Sequence, residues 1–406
     1  MQIDRKYDLY SQEFYRSAHE LYASLRQEDP VFLQAGLDGK TPIWFVTRYE
    51  DVEQVLLNDK RFVLDPRLAL DPDQLTAFGQ QEPPEFAFLN QNLLNKDGED
   101  HRRLRALVNK AFTPRMVQNL RPRIQQIAEE LLDQVQSQGE MDLVEAYAFP
   151  LPIIVISELI GIPAADRDRF REWSNAFVTP ALTPEEMQRS AQLLMAFVAY
   201  LREFFAERRQ HPQDDLVSVL LEVEEAGERL TESELFSMVV LLIVAGHETT
   251  VSLIGNAVVA LLAHPQVRQR LQTHPEEMQA AVEELLRYDS PVDRAITRWV
   301  AEDTQLGGQQ LRRGDLIVPI LGSANRDESQ FPQAATLELD RHPNHLAFGK
   351  GVHYCLGAPL ARLEAEIAMN TLLRRMPDLE LAVPVTELVW RQVPLFRSLT
   401  SIPVRW

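Results

Sequence analysis

The chain has 406 residues, of which 45% are hydrophobic and 25% charged, as in ordinary globular proteins of two or three average domains or one large fold. Its formal net charge of -19 argues against general affinity for nucleic acid, and its single cysteine excludes an intrachain disulfide. The first residues lack the apolar core of a signal peptide, and no run approaches the ~20 apolar residues of a membrane span, so we expect a soluble, cytoplasmic protein.

The N-terminal part predicts helices on either side of a β-hairpin. Residues 18–27 have helical spacing. Two short β-like runs, 31–34 and 43–47, are separated by the turn sequence Gly-Leu-Asp-Gly-Lys, which is typical of a hairpin loop. Residues 49–58 again have an apolar face at helical spacing.

Residues 64–96 combine frequent prolines with many apolar side chains. The prolines exclude a long helix. The apolar residues include Phe86 and Phe88, which is unusual for a solvated loop. Two interpretations remain open, namely a lid or pocket wall and a loop packed on the core.

Residues 100–110 form a basic segment with helical spacing. His101 and Arg105 are four residues apart, so they share one face of a helix. A solvated basic helix is the alternative to an anion-binding face. Largely helical sequence then follows in the runs 116–136, 143–160, 164–177, 184–210 and 216–225. Pro150 and Pro152 are expected to interrupt the run 143–160.

The longest periodic run is 232–263, and Thr231 with Glu234 forms a capping box at its start. Its middle is apolar nearly all round, which predicts a buried helix. Polar residues nevertheless occur at 247–250, and a buried carboxylate is costly unless it is paired. The alternatives are a structural kink, with threonine bonding the preceding turn, and a functional site.

A short helix with Glu284 and Arg287 on one face precedes a change to β-like sequence. The predicted strands are 295–301, 304–311 with a turn at its glycine pair, and 315–320, and the last residues also resemble a strand. An ordinary surface ion pair is the alternative interpretation of Glu284 and Arg287.

Cys355 lies where a glycine-rich turn enters a predicted helix at about 358–373. A helix N-terminus offers free N–H groups and partial positive charge, which favour a thiolate. Such a thiolate is a competent ligand for haem iron. A small buried hydrophobic residue is the alternative role of a lone cysteine.

Four motifs in this order resemble those of the cytochrome P450 family. F-x-x-G-x-x-x-C-x-G at 348–357 resembles its haem-binding loop, and H-x-C-L-G-x-x-L-A-R-x-E resembles the soluble bacterial members. A-G-x-E-T-T at 245–250 resembles the oxygen-activation motif, E-x-x-R at 284–287 resembles the buried Glu–Arg element, and His-x-x-x-Arg at 101–105 resembles a propionate site. The resemblance extends from about residue 10 to the end.

The resemblance implies a role for each motif residue. Cys355 is the proximal ligand of haem b, Phe348 shields its sulfur, and the loop with Gly349 and Gly357 supplies amides. Glu248 and Thr249 form the acid–alcohol pair that relays protons. The remaining haem and structural positions are His101, Arg105, Arg298 and His353 at the propionates, Ala245 and Gly246 at the groove for dioxygen, and Glu284, Arg287 and Arg341 in a structural triad.

The fold implied is a single mainly helical domain over residues 1–406, with a smaller β region and haem between the long helix and the cysteine loop. The expected reaction inserts one oxygen atom from O2 into an apolar molecule such as a polyketide, macrolide, terpenoid, steroid or fatty acid. The expected substrate pocket comprises Phe86, Phe88, Leu241, Val244, Val292 and Phe396.

Electrons are expected from a separate ferredoxin and its reductase, because the sequence has no flavin or iron–sulfur module. A basic patch would steer an acidic ferredoxin, and its candidates are Arg102, Arg103, Lys110, Arg115, Lys350 and Arg362. Two alternatives are a peroxide-driven peroxygenase of the same fold and a non-catalytic haem-binding sensor. The intact Glu248–Thr249 pair argues against both.

Overall fold

A computed structural model describes residues 6–79, 89–178, 181, 183–225 and 228–406, and over this part the chain is mainly helical with a smaller β region, as predicted. The helices are α1 Gln12–Glu28, α2 Tyr49–Leu57, α3 Pro72–Gly79, α4 Gly98–Ala111, α5 Pro114–Asn119, α6 Arg121–Val135, α7 Pro150–Ile160, α8 Arg167–Val178, α9 Pro184–Gln210, α10 Leu216–Glu222, α11 Glu232–Ala263, α12 Pro265–Thr273, α13 Met278–Tyr288, α14 Leu321–Ala324 and α15 Ala358–Arg375. A π-helical segment at Val144–Ala148 precedes α7.

The strands are short. They are β1 Val31–Ala35, β2 Pro42–Val46, β3 Phe62–Val63, β4 Glu140–Asp142, β5 Glu224–Glu225, β6 Glu228–Arg229, β7 Arg298–Val300, β8 Thr304–Leu306, β9 Gln309–Leu311, β10 Leu316–Pro319, β11 Glu380–Leu381 and β12 Pro403–Arg405. The largest sheet has the order β1-β2-β10-β7-β3, and a second sheet joins β11, β12 and β4.

The predicted hairpin is confirmed, since β1 and β2 pair antiparallel with Val31 opposite Val46. Strand β10 then adds to β2 in parallel, so a segment far along the chain completes the sheet. The preceding helix α1 includes the predicted run 18–27 and begins at Gln12 because Ser11 caps it, its side chain accepting a hydrogen bond from the backbone N–H of Phe14.

Helix α11 has the predicted bounds, and its capping box is formed by Thr231 and Glu234. It packs against α7 and α15, and most of its side chains are buried. The helix is long and apolar enough to cross a membrane, but 67% of its most apolar window is buried inside the protein. This burial is typical of the core helix of a globular fold.

Two predicted helical runs are divided in the structure. The run 116–136 breaks at Leu120 because Pro122 lies in the first turn of α6, where its missing N–H costs nothing. The run 143–160 begins with the π-helical segment and continues as α7, which has Pro150 at its first position. The predicted strand 295–301 is shortened to β7.

Candidate active site

The cysteine loop closes at the N-terminus of α15. Gly349 and Gly351 have φ values of +69° and +75°, a left-handed conformation that other residues rarely adopt. The backbone N–H of Cys355 donates to the carbonyl of Phe348 at 3.0 Å, which closes the loop. The ring of Phe348 is covered by the guanidinium of Arg362 at 4.4 Å. These contacts fix the conformation of the loop that carries Cys355.

The backbone N–H groups of Gly357 and Ala358 act to lower the pKa of the Cys355 thiol, as expected for a thiol at a helix N-terminus. Burial nevertheless raises the pKa of the Cys355 thiol, and the amides and the charge of Arg105 oppose this only in part. The helix terminus therefore acts in the expected direction, but in the protein without a bound cation the effect of burial is larger. Desolvation dominates until a cation such as iron compensates the sulfur.

Two of the predicted propionate residues meet beside this loop. The rings of His101, on α4, and His353 lie 4.2 Å apart between centroids. Nε2 of His353 is 3.1 Å from Oδ1 of Asp97, whose other oxygen accepts from the backbone N–H groups of Leu64 and Asp65. Burial, followed by the nearby charge of His353, lowers the pKa of His101 to about 4, so this imidazole is neutral at pH 7.

The site holds cationic groups that lack a counter-ion. Among the residues that the structure describes, neither Arg105 nor Arg298 forms an ion pair, and Nη1 of Arg298 donates to the carbonyl of Phe62 at 3.0 Å. Burial lowers the pKa of both, that of Arg298 to about 10. Nδ1 of His353 is also buried without a hydrogen-bond partner. The buried Arg298, the half-buried Arg105 and a ring nitrogen without a partner fit the anionic propionates of haem.

The middle of α11 borders an open face on one side and helix α7 on the other. Ala245 is exposed although most residues around it are buried, and the Thr249 hydroxyl donates to its carbonyl at 3.0 Å. Gly246 instead faces α7, because a Cβ added there would lie 3.1 Å from Cδ1 of Ile156. Ala245 therefore borders the open face, whereas Gly246 permits close packing of two helices, which is not the groove role expected for it.

The acid and the alcohol of α11 have separate partners. Glu248 is 1% exposed and forms an ion pair with Arg391, which comes from the C-terminal segment. Nε2 of His247 lies 3.6 Å from the Glu248 carboxylate. Thr249 bonds to Ala245 rather than to Glu248. Glu248 and Thr249, although adjacent in sequence, are therefore not hydrogen-bonded to each other.

An apolar cleft of about 340 Å³ lies between the N-terminal and C-terminal segments. Its walls include Ala295, Ile296 and Leu395. The expected pocket residue Phe396 is only 4% exposed and is bridged to Val292, so its ring belongs to the core and Leu395 takes the lining position. The other expected pocket residues divide into Leu241 and Val244, half-buried on α11, and Phe86 and Phe88, outside the described residues.

The predicted structural triad is assembled. Arg287 binds the Glu284 carboxylate through two hydrogen bonds of 2.7 Å, and both side chains are fully buried. Nε of Arg341 donates to the same carboxylate at 3.1 Å. The triad ties α13 to the segment that leads into the cysteine loop.

The expected basic patch is largely neutralised. Arg103 pairs with Glu234, Lys350 with Glu53, and Arg362 makes two hydrogen bonds to Glu283. Arg102 lies 3.8 Å from Glu99. These four cations contribute little net positive charge, so among the described residues of the expected patch a steering role is left to the exposed Arg115.

Sequence reasoning missed Arg391 and Asp97. Asp97 orients His353, and a carboxylate before a helix start was the only local signal for it. Arg391 lies 143 residues from Glu248, and no local pattern marks it.

Comparison with known proteins identifies the family. A sequence model described as "Cytochrome P450" matches residues 16–149 and 167–377. The chain is 43% identical to the polyketide biosynthesis cytochrome P450 PksS of Bacillus subtilis, over 97% of both chains. It is 41% identical to the vitamin D(3) 25-hydroxylase of Pseudonocardia autotrophica, over 98% of this chain and 96% of that one.

A solved structure shares the fold. The chain is similar to the myxobacterial cytochrome P450 CYP267B1 in complex with myristic acid, with a TM-score of 0.91, 41% identity and 98% of each chain covered.

Proposed function

The chain belongs to the cytochrome P450 family of monooxygenases, which bind haem b through a cysteine, and from this premise we propose that Cys355 is the ligand. Cys355 is the only cysteine of the sequence. Its position in a left-handed glycine loop at a helix N-terminus is the observation that carries the proposal. Bound haem would supply the activation of dioxygen and the transfer of one oxygen atom.

The arginines and histidines beside the loop would hold the haem propionates. Arg105 and Arg298 have no carboxylate partner among the described residues, and His353 has an unbonded Nδ1. His101, neutral at pH 7, would donate one hydrogen bond from its ring. Asp97 would keep His353 in the required orientation.

Glu248 and Thr249 would relay protons at the open face of α11. The Thr249 hydroxyl is half-buried on the side of α11 that Ala245 leaves open. Glu248 is buried one residue earlier and is the nearest carboxylate along the helix. A carboxylate and a hydroxyl at a site that excludes bulk water suit stepwise proton delivery.

We propose an apolar organic substrate of polyketide, sterol-like or fatty-acid character. Leu241 and Val244 on α11 and the cleft with Ile296 and Leu395 offer an apolar surface. The named relatives act in polyketide biosynthesis and on vitamin D(3), and a structural neighbour holds myristic acid. Hydroxylation of an unactivated C–H bond is the expected outcome.

We propose that the electrons come from a separate ferredoxin-type protein. The exposed apolar residues Val352 and Tyr354 precede Cys355 on the loop, and the exposed Arg115 remains as a candidate basic contact. Such a surface suits a transient electron-transfer partner.

Carbon monoxide added to the reduced holoprotein tests the ligand. We expect the absorption band of thiolate-ligated haem in the native chain and its loss in Cys355→Ser. Val352→Ser, an exposed neighbour on the same loop, is the matched control and should keep the band. A thiolate band that survives in the cysteine variant would refute the assignment.

Turnover with NADPH and a surrogate ferredoxin chain, compared with peroxide alone, tests the reaction class. Product from an apolar substrate should require the electron chain and dioxygen. Product with peroxide only would favour a peroxygenase, and no product in either arm, across sterol, polyketide and fatty-acid panels, would favour a haem sensor.

A further inference from the structure

The apolar cleft of about 340 Å³ has a buried cation in its wall. Among the described residues that line the cleft, Arg294 is the one charged side chain, and it is 3% exposed. The carbonyl of Leu395, on the opposite wall, accepts from the backbone N–H groups of Asp293 and Arg294 at 3.0 and 3.4 Å. The other lining residues are apolar or aromatic except Thr297, so a single cationic side chain interrupts an otherwise apolar surface.

The guanidinium of Arg294 lies at the aromatic part of this cleft. Its central carbon is 5.1 Å from the centroid of the Tyr10 ring and 5.8 Å from that of the Phe45 ring, and both rings line the cleft. Phe45 on β2 lies opposite Val318 on β10, so the largest sheet fixes this wall. Aromatic faces attract a cation but do not supply a counter-ion.

The protein satisfies this guanidinium only in part. Nη2 of Arg294 donates to the carbonyl of Leu9 at 2.6 Å, whereas Nε is buried without a hydrogen-bond partner among the described residues. Oδ2 of Asp293 is 3.5 Å from Nε, longer than an ordinary hydrogen bond, and already accepts from the Tyr22 hydroxyl at 2.5 Å. Burial raises the pKa of Asp293, so this carboxyl offsets the charge of Arg294 incompletely.

The cleft follows the chain from Arg294 toward Arg298, one of the proposed propionate residues. Ala295, Ile296 and Thr297 lie between the two arginines and line the cleft. Four residues of extended chain span at most about 14 Å. A ligand that placed an anionic group at Arg294 would therefore lay an apolar chain along Ile296 and Leu395 toward the proposed haem site.

We propose that Arg294 is a specificity-determining residue that binds the carboxylate of the substrate, and that the substrate is an unesterified long-chain carboxylic acid. The inference rests on the proposed function and narrows its substrate class. Nε of Arg294 donates to a carboxylate oxygen of the ligand in a charge-assisted hydrogen bond. The cost of desolvating this carboxylate is offset by a guanidinium that the fold has already removed from water.

Binding of three ligands with the same chain to the native haem-loaded protein tests the proposal. The ligands are tetradecanoic acid, tetradecanol and methyl tetradecanoate, and isothermal titration calorimetry at pH 8 measures each affinity independently of activity. We expect the acid to bind at least about tenfold more tightly than either neutral ligand. Equal affinity for the acid and the alcohol would overturn the proposal.

Substitution of the arginine assigns this preference to one side chain. Arg294→Met removes the charge and keeps most of the volume, so it should weaken binding of the acid at least about tenfold and binding of the alcohol less than about twofold. Arg294→Lys should recover part of the preference. The matched control is Arg26→Met, at a buried arginine outside the cleft that donates to Ser323, and it should retain the native ratio. An acid preference that persists in Arg294→Met would contradict the assignment.

A crystal structure of the native protein with tetradecanoic acid gives a readout that needs no variant. We expect a carboxylate oxygen within hydrogen-bond distance of Nε of Arg294, and a carboxylate bound elsewhere would refute the inference. The acid should be oxidised with the electron chain at carbons remote from the carboxyl group. Failure of the native protein to bind or oxidise any apolar ligand would instead refute the proposed function, so the two failures are distinguishable.

Discussion

At the scale of single residues, burial changes the chemistry of the site more than sequence neighbours do. His101 and His247 both have pKa values lowered to about 4, with desolvation as the main cause. The thiol of Cys355 and the carboxyl of Glu364 have pKa values raised for the same reason. These four groups favour their neutral forms until a partner compensates them.

His247→Phe should remove a pH dependence of stability. The unfolded chain binds a proton at His247 near pH 6.5 and the folded chain only near pH 4, so stability falls as the pH drops through this window. Between pH 6.5 and 5 the native protein should lose about 2 kcal/mol more than the variant. Urea unfolding at several pH values measures this, with His274→Phe, at an exposed histidine, as control. Parallel pH curves would contradict it.

Glu364→Gln should stabilise the protein at high pH. Both carboxylate oxygens are fully buried without a hydrogen bond, and desolvation raises the pKa well above its usual range, offset only in part by the Thr250 hydroxyl. The folded state therefore retains a proton that the unfolded state loses, and this stability contribution disappears as pH rises.

Unfolding free energies at pH 5 and 8 test the effect of Glu364→Gln. The variant should gain at least about 1 kcal/mol over the native chain between these pH values. Glu366→Gln, on the same helix at a surface pair with Arg121, should show no such gain. An equal response of the two variants would contradict the assignment.

At the scale of elements, a single turn of α11 both packs against a neighbouring helix and carries residues of the proposed site. Ala245 and Thr249 border the open face, and Gly246 contacts α7. A side chain at Gly246 would press on Ile156, because its Cβ would lie 3.1 Å from the isoleucine Cδ1. The absence of a side chain at Gly246 therefore permits the close approach of α11 and α7.

Gly246→Val should destabilise the α7–α11 interface by about 1–3 kcal/mol, since overpacking outweighs the gain in helix propensity. Thermal unfolding measures the loss, and Ile156→Val in the same chain should recover part of it. Ala245→Val, one residue earlier, should leave stability nearly unchanged and alter the haem spectrum. Equal destabilisation by Gly246→Val and Ala245→Val would contradict a close contact of Gly246 with Ile156.

At the scale of the whole molecule, one buried cation joins distant segments. Arg287 binds Glu284 and also donates to the carbonyls of Asn325, Ala334 and Thr336 at 2.9–3.0 Å. These carbonyls belong to the segment that precedes the cysteine loop. Arg287 therefore holds that segment against α13.

Arg287→Lys should prevent stable haem incorporation. Lysine cannot reproduce the planar set of donors, and the buried Glu284 would lose its two-point partner, at a cost of about 3–5 kcal/mol. The haem content of the soluble protein measures the effect. Arg374→Lys, at a surface pair with Glu129, is the matched control and should keep its haem. Full haem content in the Arg287 variant would contradict this role.

The sequence by itself determined the features that depend on near neighbours. The bounds and capping box of α11, the β1–β2 hairpin and the glycine turn before α15 follow from local periodicity, caps and turn residues. The motif around Cys355 lies within ten residues, so the family could be recognised before any packing was known.

Only the tertiary structure decided which groups are paired. The partner of Glu248 is Arg391, the neighbour of Gly246 is Ile156, and the acceptor for His353 is Asp97, all of them remote in sequence. The ion pairing of the basic patch and the desolvation of the Cys355 thiol likewise arise from contacts between residues that are remote in sequence. Charge partners and burial depend on how distant segments pack, and the local periodicity of the sequence does not determine this packing.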